Sequence, residues 1–122
     1  DRRQRQMCIR DRAQAVRELR QAYPKSSYNC MIQSEDQLIA LCAAGREKTS
    51  PRIVEIYDEY GRGEQAADYR VMRYRELRDD NGDSAGVVVS SSGYKQEGWN
   101  VLENDQMIIV SNRNGTYRLR SI

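Results

Sequence analysis

Histidine is absent from the 122 residues. That gap removes the Ser-His-Asp and Cys-His arrangements by which many hydrolases activate a hydroxyl or thiol. The three cysteines (Cys8, Cys30, Cys42) form no C-x-x-C pair, so the usual ligand spacing of a zinc site is missing as well. Neither G-x-G-x-x-G nor G-x-x-x-x-G-K-[ST] occurs, which excludes the common phosphate-cradling loops. No stretch approaches the ~18 consecutive apolar residues of a membrane span, and no apolar h-region of a secretory signal stands near the start. No membrane partner, metal or cofactor is expected.

What is present is ordinary globular composition, 39% hydrophobic and 31% charged, in a chain long enough for one domain or part of one. The net charge of +2 is unevenly placed. Residues 1–12 carry Arg2, Arg3, Arg5, Arg10 and Arg12 against Asp1 and Asp11, so the leader is basic and the body close to neutral. A phosphate-binding surface should instead be basic within the folded body, so no nucleic-acid partner is expected. The leader shows no apolar periodicity. Its run Met7-Cys8-Ile9-Arg10-Asp11-Arg12 looks like translated sequencing-adapter sequence, so residues 1–12 are read as a non-native leader, with a basic nucleic-acid-binding arm as the alternative. On the first reading the native N-terminus has been cut away. The domain proper is then residues 13–122. Cys30 and Cys42 fall in apolar segments and read as buried reduced thiols, with a cross-strand disulfide as the alternative. The sparse, odd count points to a reducing, cytoplasmic compartment.

Ala15, Val16, Leu19, Ala22 and Tyr23 recur at helical spacing and predict a helix from Asp11 or Arg12 to about Tyr23, stopped by Pro24. Ser27–Gln33 and Leu38–Ala43, either side of a four-residue polar loop, read as a hairpin closed by Gly45. Residues 46–67 are ambiguous: Arg52–Tyr60 has strand-like composition, and Gly61 and Gly63 mark a loop. Asp68–Leu77 reads as a half-exposed strand, 79–83 as a turn, and Gly86–Ser90 as a strand buried on both faces. A loop from Ser91 to Gly98 leads to Trp99–Leu102. Met107–Ser111 and Thr116–Leu119 form a final hairpin in which Asn114-Gly115 supplies positive φ angles.

Chemistry-bearing candidates are few. Gly61-Arg62-Gly63 reads as loop. Asp58/Glu59 and Asp79/Asp80 read as solvated pairs rather than acid–base partners. Arg70, Arg73, Arg75 and Arg78 read as a wet strand face rather than a phosphate clamp. Trp99 reads as a core plug rather than a stacking platform. No residue is assigned a catalytic, substrate-binding or metal-binding role.

Three stretches, taken in order, resemble a known family. Ser26-Ser27-Tyr28-Asn29-Cys30-Met31-Ile32-Gln33-Ser34-Glu35-Asp36-Gln37-Leu38-Ile39-Ala40 is similar to the "S-x-N-hydrophobic…D/E-x-L-hydrophobic-A" hairpin of class II glutamine amidotransferases, which also follows a helix. Val87-Val88-Val89-Ser90-Ser91-Ser92 resembles that family's "V-V-A-S-E-P" strand end. Gly98-Trp99-Asn100-Val101-Leu102-Glu103-Asn104-Asp105-Gln106-Met107-Ile108-Ile109-Val110 resembles its closing "G-W-x-x-hydrophobic-P-x-G-x-L-hydrophobic-V" segment. Ser92 and Gly93 stand where the family has Glu and Pro, and Glu103-Asn104-Asp105 replaces its Pro-x-Gly turn.

The resemblance implies an α+β, N-terminal-nucleophile-hydrolase-like fold, with mostly antiparallel sheets and one N-terminal helix in this portion. It also implies glutamine amide hydrolysis by an N-terminal cysteine whose α-amino group serves as base, with ammonia delivered to an acceptor. That chemistry needs no histidine. The family's nucleophile, glutamine-binding residues and oxyanion residues lie upstream of the helix, so this portion is expected to be inactive alone. L-glutamine and a synthetase partner or domain are implied for the whole protein. The alternative is a small non-catalytic β-rich binding module. A half-domain should expose an apolar sheet face, and an intact module should not.

Overall fold

The computed structural model describes residues 2–44, 49–91 and 97–122, with side chains from residue 9 onward. Gly45, the Ser92/Gly93 departure and most of the Ser91–Gly98 loop lie outside the described residues, as does the side chain of Cys8.

Helix α1 (Arg2–Ala22) begins nine residues or more before the predicted start and runs through the basic leader. Arginine and glutamine are good helix formers and nothing in the leader breaks the helix. Ile9, Ala13 and Val16, at i, i+4 and i+7, form its buried stripe. At its other end the Tyr28 hydroxyl reaches the carbonyls of Leu19 (3.1 Å) and Tyr23 (2.8 Å), which also accept from Tyr23 N–H and Ser26 N–H, so the chain leading into the first strand is fastened to the helix end.

Among the described residues, seven strands form two antiparallel sheets. The larger holds β1 (Cys30–Gln33), β2 (Gln37–Cys42), β6 (Gln106–Ser111) and β7 (Tyr117–Ser121), in the order β1-β2-β6-β7. The smaller holds β3 (Met72–Arg78), β4 (Ser84–Ser90) and β5 (Asn100–Leu102), in the order β4-β3-β5. The β1–β2 hairpin, the β3–β4 turn and the β6–β7 hairpin fall where the sequence places them.

The period-two alternation of β2 and β6 builds two cores at once. Ile39, Leu41, Met107 and Ile109 turn toward Ile9, Ala13 and Val16 of α1. Ala40, Cys42, Ile108 and Val110 turn toward Met72, Tyr74 and Leu102 of the smaller sheet, with Val87, Val89 and Tyr117 packed alongside. The Tyr74 and Tyr117 rings meet edge to face, centroids 5.5 Å apart. The layers run helix, sheet, sheet. This sandwiching explains why Met107 to Val110 is an unbroken apolar run: both faces of β6 are covered.

Several expectations are corrected. Arg52–Tyr60 is not strand-like: Pro51–Glu59 is a second helix, α2, so the fold has more than the one expected helix. The decisive residues are Ser50, whose hydroxyl accepts from Arg52 N at 3.3 Å, and Pro51 in the first turn, a capping pair that outweighs the β-branched content of Ile53, Val54 and Ile56. A 3-10 helix (Gly63–Asp68) follows. β4 is not buried on both faces. Val87 and Val89 point inward, whereas Val88 is 40% exposed. Trp99 is half-buried and belongs to neither core. In the β6–β7 turn only Gly115 takes a positive φ (+68°), so the connection is wider than a two-residue hairpin, closed by Gly115 N–H to Ser111 C=O at 3.0 Å.

Candidate functional site

The two sheets open at one end into a cleft of about 590 Å³, large enough for a small ligand. Its floor is Leu38, Val87 and Val110, and its rim is the β6–β7 turn, Ser111 to Gly115, facing Ser84–Gly86 of β4. The rim is built by hydrogen bonds. Asn112 donates its side-chain amide to the carbonyls of Ser34 and Glu35 (both 3.1 Å) and its backbone N–H to that of Asp36 (2.8 Å). Arg113 closes on Asp36 through Nη2 at 2.9 Å and Nε at 3.2 Å. The Ser84 hydroxyl donates to Gly115 C=O at 3.2 Å, tying the two sheets together. There the backbones nearly touch: a Cβ on Gly115 would lie 3.1 Å from Gly86 N.

This arrangement offers hydroxyls, amides and one guanidinium already engaged by a carboxylate. Its lining residues hold serine hydroxyls but no cysteine, carboxylate or amine, so none of them could serve those hydroxyls as a base. The cleft is a polar recess lined by hydrogen-bonding groups.

The two cysteines with described side chains, Cys30 and Cys42, do not line the cleft. Cys30 faces α1 and Cys42 faces the smaller sheet, so the two thiols lie on opposite faces, no disulfide joins them, and both are free. Burial raises the Cys42 thiol above its ordinary 9.0, with Asp105 and Glu103 adding to the rise and hydrogen bonds from Ala44 and Met72 opposing it. Burial likewise raises Cys30, against the pull of Arg12. Both stay protonated and inert at neutral pH.

Nor do the remaining candidates converge. Gly61-Arg62-Gly63 is the stop signal of α2: Gly61 sits at φ +69°, its N–H reaches Asp58 C=O at 2.9 Å, and Arg62 N–H reaches Tyr57 C=O at 2.8 Å, a Schellman cap. Asp58 and Glu59 are exposed at that helix end. Asp79 Oδ1 accepts from Asn81 N–H (2.9 Å) and Asp83 N–H (3.0 Å), which makes it a turn-former beside exposed Asp80. Arg73 is buried and pairs with Asp68 at 3.0 Å, Arg78 pairs with Glu76 at 3.3 Å, and Arg75 is exposed. Among the described residues no group of three or more His, Cys, Asp or Glu could hold a metal ion.

No protein-family model, curated protein or solved structure matches this chain. Two residues outside the cleft carry more weight than the sequence alone indicated. Asn29 joins the layers: its amide donates to Arg70 C=O at 2.9 Å and its carbonyl accepts from Ala43 N–H at 2.8 Å. Asp105 adopts φ +66°, the one non-glycine described residue in the left-handed region, and its carboxylate pairs with Arg20 of α1. The signal for Asp105 was the polar tetrad Glu103-Asn104-Asp105-Gln106 between two strands; for Asn29 there was none beyond its place in the hairpin motif.

Proposed function

We propose that this chain forms the non-catalytic portion of a class II glutamine amidotransferase-like domain of the N-terminal-nucleophile hydrolase type. The observation that carries the reading is the stacking of two antiparallel sheets beneath a helix, with all three family-like stretches inside it. The first makes β1–β2, the second β4 and the third β5–β6.

Asp105 supports the reading at finer grain. It occupies the glycine place of the family's Pro-x-Gly turn, and it keeps the left-handed backbone that glycine provides. The outer face of the smaller sheet supports it too. Leu77, Val88 and Val101 lie there 41%, 40% and 48% exposed, interleaved with Arg73 and Arg75, apolar surface that a domain packing against further structure would cover.

In this proposal glutamine hydrolysis and the transfer of ammonia to an acceptor belong to the whole protein. This chain contributes the scaffold, and its cysteines have no catalytic part. The test is to express these residues fused to the coding sequence that precedes them in the source DNA and to assay glutamate release from L-glutamine. Release that is abolished by replacing an N-terminal cysteine supports the proposal. A folded, extended protein with no such cysteine and no glutamine turnover overturns it.

A further inference from the structure

A second concavity, about 430 Å³, runs between α1 and the β7 edge of the larger sheet, away from the polar cleft. Its floor is the sealed core surface of Ile9, Ala13 and Met107, and its walls carry Arg10, Gln14 and Arg17 from α1 and Arg120 from β7. The helix contributes one stripe. Arg10, Gln14 and Arg17 stand at i, i+4 and i+7, roughly 10 Å from end to end. On β7, Arg118 and Arg120 lie opposite Ile109 and Met107, both of which face α1, so these two arginines share the helix side of the sheet.

Five arginines outside the groove have carboxylate partners: Arg20 with Asp105, Arg52 with Glu55, Arg73 with Asp68, Arg78 with Glu76, and Arg113 with Asp36. In the groove, Asp11 is the one carboxylate among the lining residues, and it forms no ion pair with them among the described residues. Arg17 is held instead by the neutral Gln14 amide oxygen at 2.8 Å, which fixes its guanidinium without neutralising it. Three guanidinium groups against one carboxylate leave a concentrated positive field over a concave surface.

We propose that this groove binds a compact multivalent anion, a chain of linked phosphates, through Arg10, Arg17 and Arg120. Guanidinium forks match phosphate oxygens two at a time, and several of them converging favour a multivalent anion over a monoanion. No aromatic side chain lines the groove, so it has nothing on which a base would stack. Recognition is therefore of the phosphates alone.

The test is titration calorimetry of the whole chain with inorganic tripolyphosphate at about 50 mM salt, repeated at about 200 mM. One-to-one binding that weakens with salt is expected. Arg17→Gln and Arg120→Gln should each weaken it roughly tenfold or more, while Arg52→Gln, on α2, leaves it unchanged. ATP should bind no more tightly than tripolyphosphate. All three arginines are exposed, and circular dichroism verifies that the variants fold. Four results would each overturn the proposal. These are no saturable binding into the millimolar range, an equal loss in Arg52→Gln, a preference for ATP beyond about tenfold, and tighter binding of duplex DNA than of tripolyphosphate.

Discussion

Asp105 shows how one residue carries a backbone shape and an ion pair together. A left-handed conformation costs a non-glycine residue about 1–2 kcal/mol, least for Asp and Asn, and the Arg20 contact offsets part of that. Asp105→Asn keeps the tolerance and loses the pair, so it should cost under about 1 kcal/mol in urea unfolding. Asp105→Ala loses both and should cost about 1–3 kcal/mol, whereas Asp105→Gly should fall near the wild type. Asn29 is the other such residue. Asn29→Ala strands the Ala43 N–H and the Arg70 carbonyl and should cost about 2–3 kcal/mol, read the same way. The buried thiols add a pH dependence of definite sign. Because burial raises Cys42 above 9.0, the folded state holds its proton more tightly than the unfolded chain does. That stability is fully present below the unfolded value and is lost as pH rises through the folded one. Unfolding free energy should therefore fall as pH rises past 9, and Cys42→Ala should flatten that fall.

At the scale of elements, the strands were legible and the second helix was not. β2 and β6 announce themselves because polar turns bound apolar runs of strand length, and the sandwiching of both faces agrees with Met107–Val110 being apolar throughout. α2 was hidden because Ile53, Val54 and Ile56 weigh toward a strand, while the Ser50-Pro51 start and the Gly61 stop lie at its ends, outside that count. α1 was read short because the leader has no periodicity of its own beyond Ile9, which pairs with Ala13 and Val16 only once the helix is extended. Val88 was misjudged because three consecutive valines give the same pattern whether one face is covered or two. The β6–β7 turn gives a comparison that composition cannot. Gly115→Ala meets Gly86 backbone at 3.1 Å, whereas Gly61→Ala meets nothing within 4 Å, though both glycines sit at positive φ. Thermal unfolding should show Gly61→Ala costing about 1 kcal/mol and Gly115→Ala distinctly more, because the sheets must part to admit the methyl group.

At the scale of the whole molecule, the two cores share one pair of strands. Ile108 is fully buried between the sheets and Ile109 lies under α1, so β6 couples both layers. Ile108→Ala should cost about 2–5 kcal/mol and loosen the smaller sheet against the larger. The candidate cleft was not legible in the sequence. Its rim comes from Ser84–Gly86 and Ser111–Gly115, held by hydrogen bonds to Ser34–Asp36, segments that the sandwich alone brings together. The exposed outer face at Leu77, Val88 and Val101 fits a scaffold built to be covered. The most direct test of that account is to read the source coding sequence that precedes α1. The account predicts an in-frame Met-Cys start with arginine and asparagine-glycine motifs ahead of the helix. A native start codon immediately before the helix, with no such segment, would contradict it and leave a small binding module.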